Sequence, residues 1–208
     1  MLNKHNLNIA KLAPSGTGAG YGKNVIQVRQ DRTIVTDGHL LVQVTRPAMS
    51  VENYPVMAFG ADLKPMLEHA PFCLNAETAL KAAKDLTFKS SIPILHCAAV
   101  AVNGDPSRPK IVTTDLERNA SYSAAESSSY PDVDRVMPKA EDITLKIGLD
   151  ARKVKALMDQ FISFADQKGD VCVTFAFQTA TSALTMTREH GGNESDQTMT
   201  ALLMPMKF

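Results

Sequence analysis

The strongest constraint in this sequence is a pattern of one helix followed by strands that recurs along the chain. A helix and an apolar strand lead into Ile34-Val35-Thr36-Asp37, and about 77 residues later the same order leads into Ile111-Val112-Thr113-Thr114-Asp115. Period-two alternation supplies the strands: Leu40, Val42 and Val44; Ile143, Leu145 and Ile147; Val171, Val173, Phe175 and Phe177. Such alternation half-buries a strand. The clearest helix is 150–165, where Asp150 can cap and Val154, Leu157, Met158, Phe161 and Ile162 fall at helical spacing. A second, roughly 75–87, starts at Asn75 and buries Ala79, Leu80, Ala83 and Leu86, leaving Lys81 and Lys84 outside. Shorter helices are predicted near 62–70, with Pro65 in the first turn, and near 5–13, a segment flanked by Lys4 and containing Lys11.

A third unit fits 143–208: a strand, the 150–165 helix, strands at 170–178 and 182–188, an exposed turn from Glu189 to Glu194, and a last strand at 198–206. The order is βαβββ. An α+β fold of repeated βαβββ units follows, with antiparallel sheets and the helices on one side. The Ser-rich stretch Glu126-Ser127-Ser128-Ser129 before Tyr130-Pro131-Asp132 is the best linker candidate. The expected division is a truncated first domain at 1–71 and a second at 72–208.

Composition restricts function. The 208 residues include 22 basic and 22 acidic side chains, so any nucleic-acid contact has to come from uneven placement of charge. Cys73, Cys97 and Cys172 form no C-x-x-C pair and each sits in an apolar stretch, which predicts buried thiols in a reducing compartment. No basic-then-apolar leader and no apolar run of about 20 residues is present, and a cytoplasmic protein is expected.

Catalytic motifs fail one by one. Pro14 to Lys23 is Gly-rich, but a phosphate loop needs Gly at Thr17 and Ser or Thr at Asn24, and Tyr21 spoils the dinucleotide pattern. A helix-to-strand loop is the plain reading. His5, His39, His69, His96 and His190 show no zinc spacing, and His96-Cys97 read as strand neighbours on opposite faces. No enzyme, metal or cofactor is predicted. Two features remain: cations on several helix faces, and the apolar terminus Ala201-Leu202-Leu203-Met204-Pro205-Met206-Lys207-Phe208, whose methionines around a proline suit short apolar peptides.

Three segments together resemble the bacterial DNA polymerase III β sliding clamp family. Thr36-Asp37-Gly38-His39-Leu40-Leu41 looks like the family's T-D-G-H-R-L, with Leu40 in place of arginine. Tyr130-Pro131-Asp132-Val133-Asp134-Arg135-Val136-Met137-Pro138 is similar to F-P-D-Y-x-R-V-[LI]-P, and Leu203-Met204-Pro205-Met206-Lys207-Phe208 to the closing V-M-P-M-R-L. Ile92-Pro93-Ile94-Leu95 and Thr114-Asp115-Leu116-Glu117 also look like L-P-I-L and T-D-L-E. The resemblance implies a DNA-clamp-like fold whose helices line a ring around duplex DNA and touch phosphates without reading bases. It also implies an apolar pocket for short peptides of polymerases and the clamp loader. That pocket would hold Thr36, Gly38, His39, Leu41, Pro131, Arg135, Val136, Leu202, Leu203, Met204, Pro205 and Met206. Lys81, Lys84, Arg152, Lys153 and Lys155 are carried over to DNA by helix. Family chains have three domains and close as dimers; this chain holds at most two, so closure calls for a homo-oligomer, a trimer or dimer ring. The alternative is a clamp-like adaptor or inhibitor that binds partner peptides without encircling DNA.

Overall fold

In a computed structural model the described residues are 1–14, 24–47, 64–65, 68–87, 92–103, 105–125, 130–164, 171–190 and 197–206. The chain folds as two compact units, Met1–Val133 and Asp134–Phe208.

The first unit contains two copies of the repeat. One runs β1 (Leu2–Asn3), α1 (Lys4–Asn8) continued by a 3-10 turn Ile9–Leu12, β2 (Val25–Val28), β3 (Arg32–Thr36) and β4 (Leu41–Thr45). The other runs β6 (Phe72–Asn75), α2 (Ala76–Asp85), β7 (Cys97–Val102), β8 (Lys110–Thr114) and β9 (Asn119–Ser123), after a short β5 (Lys64–Pro65). The copies exchange their first strands. β1 pairs with β7, Leu2 opposite Ala98, while β6 pairs with β2 from Val25↔Asn75 to Val28↔Phe72. The sheet orders are therefore β1-β7-β8-β9 and β4-β3-β2-β6, all antiparallel. One core draws on both copies: Leu2, Leu7, Ile26, Val28 and Val35 pack with Leu74, Ala79, Ala82, Leu86, Val100 and Ile111. The shared sheets put the described residues of both copies in one compact unit, which ends at Val133, next to the predicted Ser-rich connection.

The helices start where the sequence placed them. Asn3 and Asn6 form a reciprocal capping box, with Asn6 N–H donating to Asn3 Oδ1 (3.1 Å) and Asn3 N–H to Asn6 Oδ1 (3.0 Å). Asn6 is fully buried, and its Nδ2 donates to the carbonyls of Val44 (3.0 Å) and Thr45 (3.1 Å), tying α1 to β4. Asn75 stands at the N-cap of α2 without a side-chain bond. At the far end of α2, the Asp85 carboxylate accepts from Thr113 Oγ1 (2.7 Å) and the Tyr122 hydroxyl (2.5 Å). Partial burial and that carboxylate push the Tyr122 hydroxyl up to about 12.

Among its described residues the second unit holds a single copy: α3 (Ala151–Phe164), β10 (Thr174–Ala176), β11 (Leu184–His190) and β12 (Gln197–Leu203), with sheet order β10-β11-β12. Asp150 caps α3 as predicted, its Oδ1 accepting from Arg152 N–H (2.8 Å). The core is small: Phe161, Leu184, Met186 and Leu203, flanked by Leu149, Val154, Leu157, Met158 and Val173.

Several expectations are corrected. Residues 143–147 carry the alternation of a strand yet form none; Ile143 and Leu145 are 41% and 49% exposed. Lys64–Pro65 is an edge strand on β7 instead of a helix turn, since a residue before proline favours extended backbone and proline has no N–H to give a ladder. His96 ends a 3-10 turn (Pro93–His96), with Cys97 opening β7. Glu189 and His190 extend β11, and the regular part of the strand at 170–178 shrinks to β10. Cys73 and Cys97 are buried, but Cys172 is exposed, next to Val173, which packs against the second unit's core. The Gly-rich segment from Ser15 to Lys23, Ser127 to Ser129 of the linker, and the turn from Gly191 lie outside the described residues.

Replacing Asn6 by leucine should lower stability by about 1–3 kcal/mol, because the Val44 and Thr45 carbonyls lose a buried donor. A urea denaturation midpoint unchanged from the parent protein would show that the bonds contribute nothing.

Candidate functional site

The first resemblance segment forms a tight turn between β3 and β4. Thr36 Oγ1 donates to Leu40 O (2.7 Å) and accepts from Gly38 N–H (3.2 Å), while Asp37 Oδ1 accepts from the N–H groups of His39 (2.8 Å) and Leu40 (2.7 Å). Those backbone donors, Leu40 first, hold the exposed Asp37 carboxyl below its ordinary range. The repeat builds the same turn again. Thr114 Oγ1 donates to Arg118 O (3.1 Å), Leu116 N–H donates to Thr114 Oγ1 (3.0 Å), and Asp115 Oδ1 accepts from Glu117 and Arg118 N–H (3.0 and 2.6 Å). The third residue of each turn has positive φ, +94° at Gly38 and +81° at Leu116. Glycine suits that backbone; Leu116 is strained in it.

The second segment reaches the first turn's strand. The Tyr130 hydroxyl donates to Ile34 O on β3 (3.1 Å), and burial pushes its ionisation well above that of a free phenol. The half-buried Pro131 follows directly. Thr36, Gly38, His39, Leu41 and Pro131 thus belong to the first unit, with His39 and Gly38 exposed and Leu41 half-buried. Arg135, Val136, Leu202, Leu203, Met204, Pro205 and Met206 belong to the second. There Val136, Leu202, Met204 and Met206 are 70%, 66%, 66% and 54% exposed, whereas Leu203 packs into the unit's core. The backbone at Met206 is held by its N–H donating to Gly148 O (2.9 Å).

A shallow groove of about 430 Å³ runs between α1 and α2, lined by Lys4, Asn8, Lys11, Glu77, Leu80, Lys81, Ala83 and Lys84. Small residues on α2, Ala82 and Ala83, let the helices approach. Lys81 and Lys84 were expected on an exposed face; Lys4 and Lys11, seven residues apart and so two turns along, join them. Lys81 pairs with Glu77 (2.8 Å), and Lys4 Nζ donates to Leu86 O (2.8 Å). Four cations against one anion make this surface electropositive in a chain of zero net charge. On α3, Arg152 and Lys155 lie roughly 60° apart around the axis while Lys153 diverges by roughly 160° from Lys155. All three are exposed, and Lys155 pairs with Asp159 (2.6 Å). Among the described residues no group of three His, Cys, Asp or Glu could hold a metal ion, and no helix is long and apolar enough to cross a membrane.

These sheets and helices define an α+β, DNA-clamp-like fold. Solved structures that share it include the DNA polymerase III beta chain of Streptococcus pneumoniae TIGR4 (TM-score 0.63, 12% identity) and the DNA polymerase III subunit beta of Pseudomonas aeruginosa (TM-score 0.55, 14% identity). The matches cover 99% and 97% of this chain and 48% of each solved chain, so it spans about half their length. At such identity the likeness is one of fold. No family model and no curated protein matches the sequence.

The paired turns give a direct check. Leu116→Gly should raise stability, by up to about 1 kcal/mol once strain relief is set against the added freedom of the unfolded chain, and Gly38→Ala should lower it by a similar amount. Thermal melting of both variants reads the sign; equal shifts in one direction would contradict it.

Proposed function

We propose that the chain is a non-catalytic, cytoplasmic, clamp-type protein that holds duplex DNA through phosphate contacts and docks short partner peptides in an apolar pocket. The tether from Tyr130 to β3 carries this reading, because it gathers two of the three clamp-like segments, 36–41 and 130–131, on one strand end. Exposed Leu202, Met204 and Met206 offer the apolar surface such peptides seek. The groove cations support the DNA part, since lysines facing phosphates bind every sequence alike. Its partners would be a DNA polymerase and a clamp loader, acting on a ring closed by several copies. A second reading, an adaptor that binds the same peptides without encircling DNA, rests on the same exposed Leu202, Met204 and Met206 and needs no closed ring.

Fluorescence polarisation with a labelled apolar clamp-binding peptide tests the pocket: His39→Ala and Met204→Ser should each weaken binding about tenfold or more. Neither side chain belongs to a buried core, so unchanged affinity in a folded variant would sink the docking role. For DNA, affinity should fall steeply with salt and ignore sequence, and Lys81→Ala with Lys84→Ala should flatten the log–log salt slope by roughly 1 per lost contact. Sequence-selective binding, or a slope indifferent to both lysines, would count against encirclement.

A further inference from the structure

Each copy of the repeat in the first unit is covered by the other, and among the described residues the second unit contains one copy. Asn75 and Asp150 occupy the same cap position, so Ala76, Ala79 and Ala83 of α2 correspond to Ala151, Val154 and Met158 of α3. The three alanines are 5%, 0% and 2% exposed; of their counterparts Ala151 is exposed and the other two half-buried. The second strand of each copy tells the same story. β2 and β7 are almost wholly buried because β6 and β1 cover their outer edges, whereas every residue of β10 is exposed.

The segment before the helix matches too. Ala125 N–H donates to Cys73 O (2.8 Å) as Met206 N–H donates to Gly148 O (2.9 Å), so 147–149 stands where β6 stands. β6, however, uses its other edge to pair with β2 of the sister copy. Among the described residues nothing pairs with that edge of 147–149, nor with the β10 edge away from β11. This accounts for Ile143, Leu145 and Ile147: they carry the alternation of a strand and, among the described residues, meet no partner strand. Phe175, Phe177 and Ile162, at 42%, 42% and 59% exposure, add apolar surface on β10, just beyond it and on α3.

We infer that the second unit is completed by the same unit of a second copy, with residues 143–149 of each chain adding as an antiparallel strand to the open edge of β10 of the other. The pairing is isologous, repeating between chains the exchange that β1–β7 and β6–β2 make within the first unit. A second copy is the fitting occupant because the sister repeat is what covers these positions in the first unit. The inference stands apart from DNA holding and peptide docking. Two chains joined this way contain three double-repeat bodies.

Light scattering on the full chain at micromolar concentration should give twice the 22.5 kDa chain mass. Leu145→Asp, placed outside the described core, should halve that mass without changing the circular dichroism spectrum, and Phe175→Asp should do the same from the other side of the contact. Hydrogen exchange at 145–149 and 174–176 should be slow in the parent protein and fast in both variants. A monomeric parent protein, or an oligomer whose mass resists both substitutions while 145–149 exchanges freely, would overturn the inference. The latter result is what a ring closed head-to-tail elsewhere gives, and a heterologous partner would leave the purified chain monomeric.

Discussion

The structure depends on one constraint: the first strand of each repeat finds its ladder partner outside that repeat. A backbone edge left without hydrogen bonds is costly to bury and prone to adventitious pairing. In the first unit the exchange of β1 and β6 meets this demand twice, and it brings Leu2 and Leu74 into a single core with both helices. The two copies consequently fold as one body. Neither has a complete sheet without the other.

Much of this was legible in residues. Asp150 read as a cap because a short polar side chain reaches the orphan N–H groups of a first turn, and it does so here, whereas the Asn3–Asn6 capping box went unread. The Thr-Asp recurrence read as a repeat, and the two turns match bond for bond. What failed did so for a nameable reason. Alternation in 143–147 predicts a strand, but periodicity reports a preference for a half-buried pleat and says nothing of whether a partner strand is present. Pro65 satisfied the rule for a helix start equally well as the rule for a sheet edge, and β7 decided between them. The electropositive groove was only half legible: Lys81 and Lys84 were visible on their helix, while the approach of Lys4 and Lys11 depends on alanines that let α1 and α2 come close. Tyr130 looked like a linker residue, and its bond to Ile34 O depends on long-range folding that no local pattern encodes.

Charge placement bears on function more than charge total. A neutral chain has little long-range pull on a polyanion, so the cations between α1 and α2 act over roughly a Debye length. Such a surface favours a loosely held, mobile polymer over a fixed site, in keeping with the proposed holding of duplex DNA. The apolar side chains of 202–206, by contrast, act only on contact.

The placement of the three thiols has a practical consequence. Cys73 and Cys97 are shielded, whereas Cys172 faces solvent two residues before β10. A maleimide dye would therefore attach at one natural position with no engineering, beside the uncovered sheet margin, and its emission would report on whatever settles there.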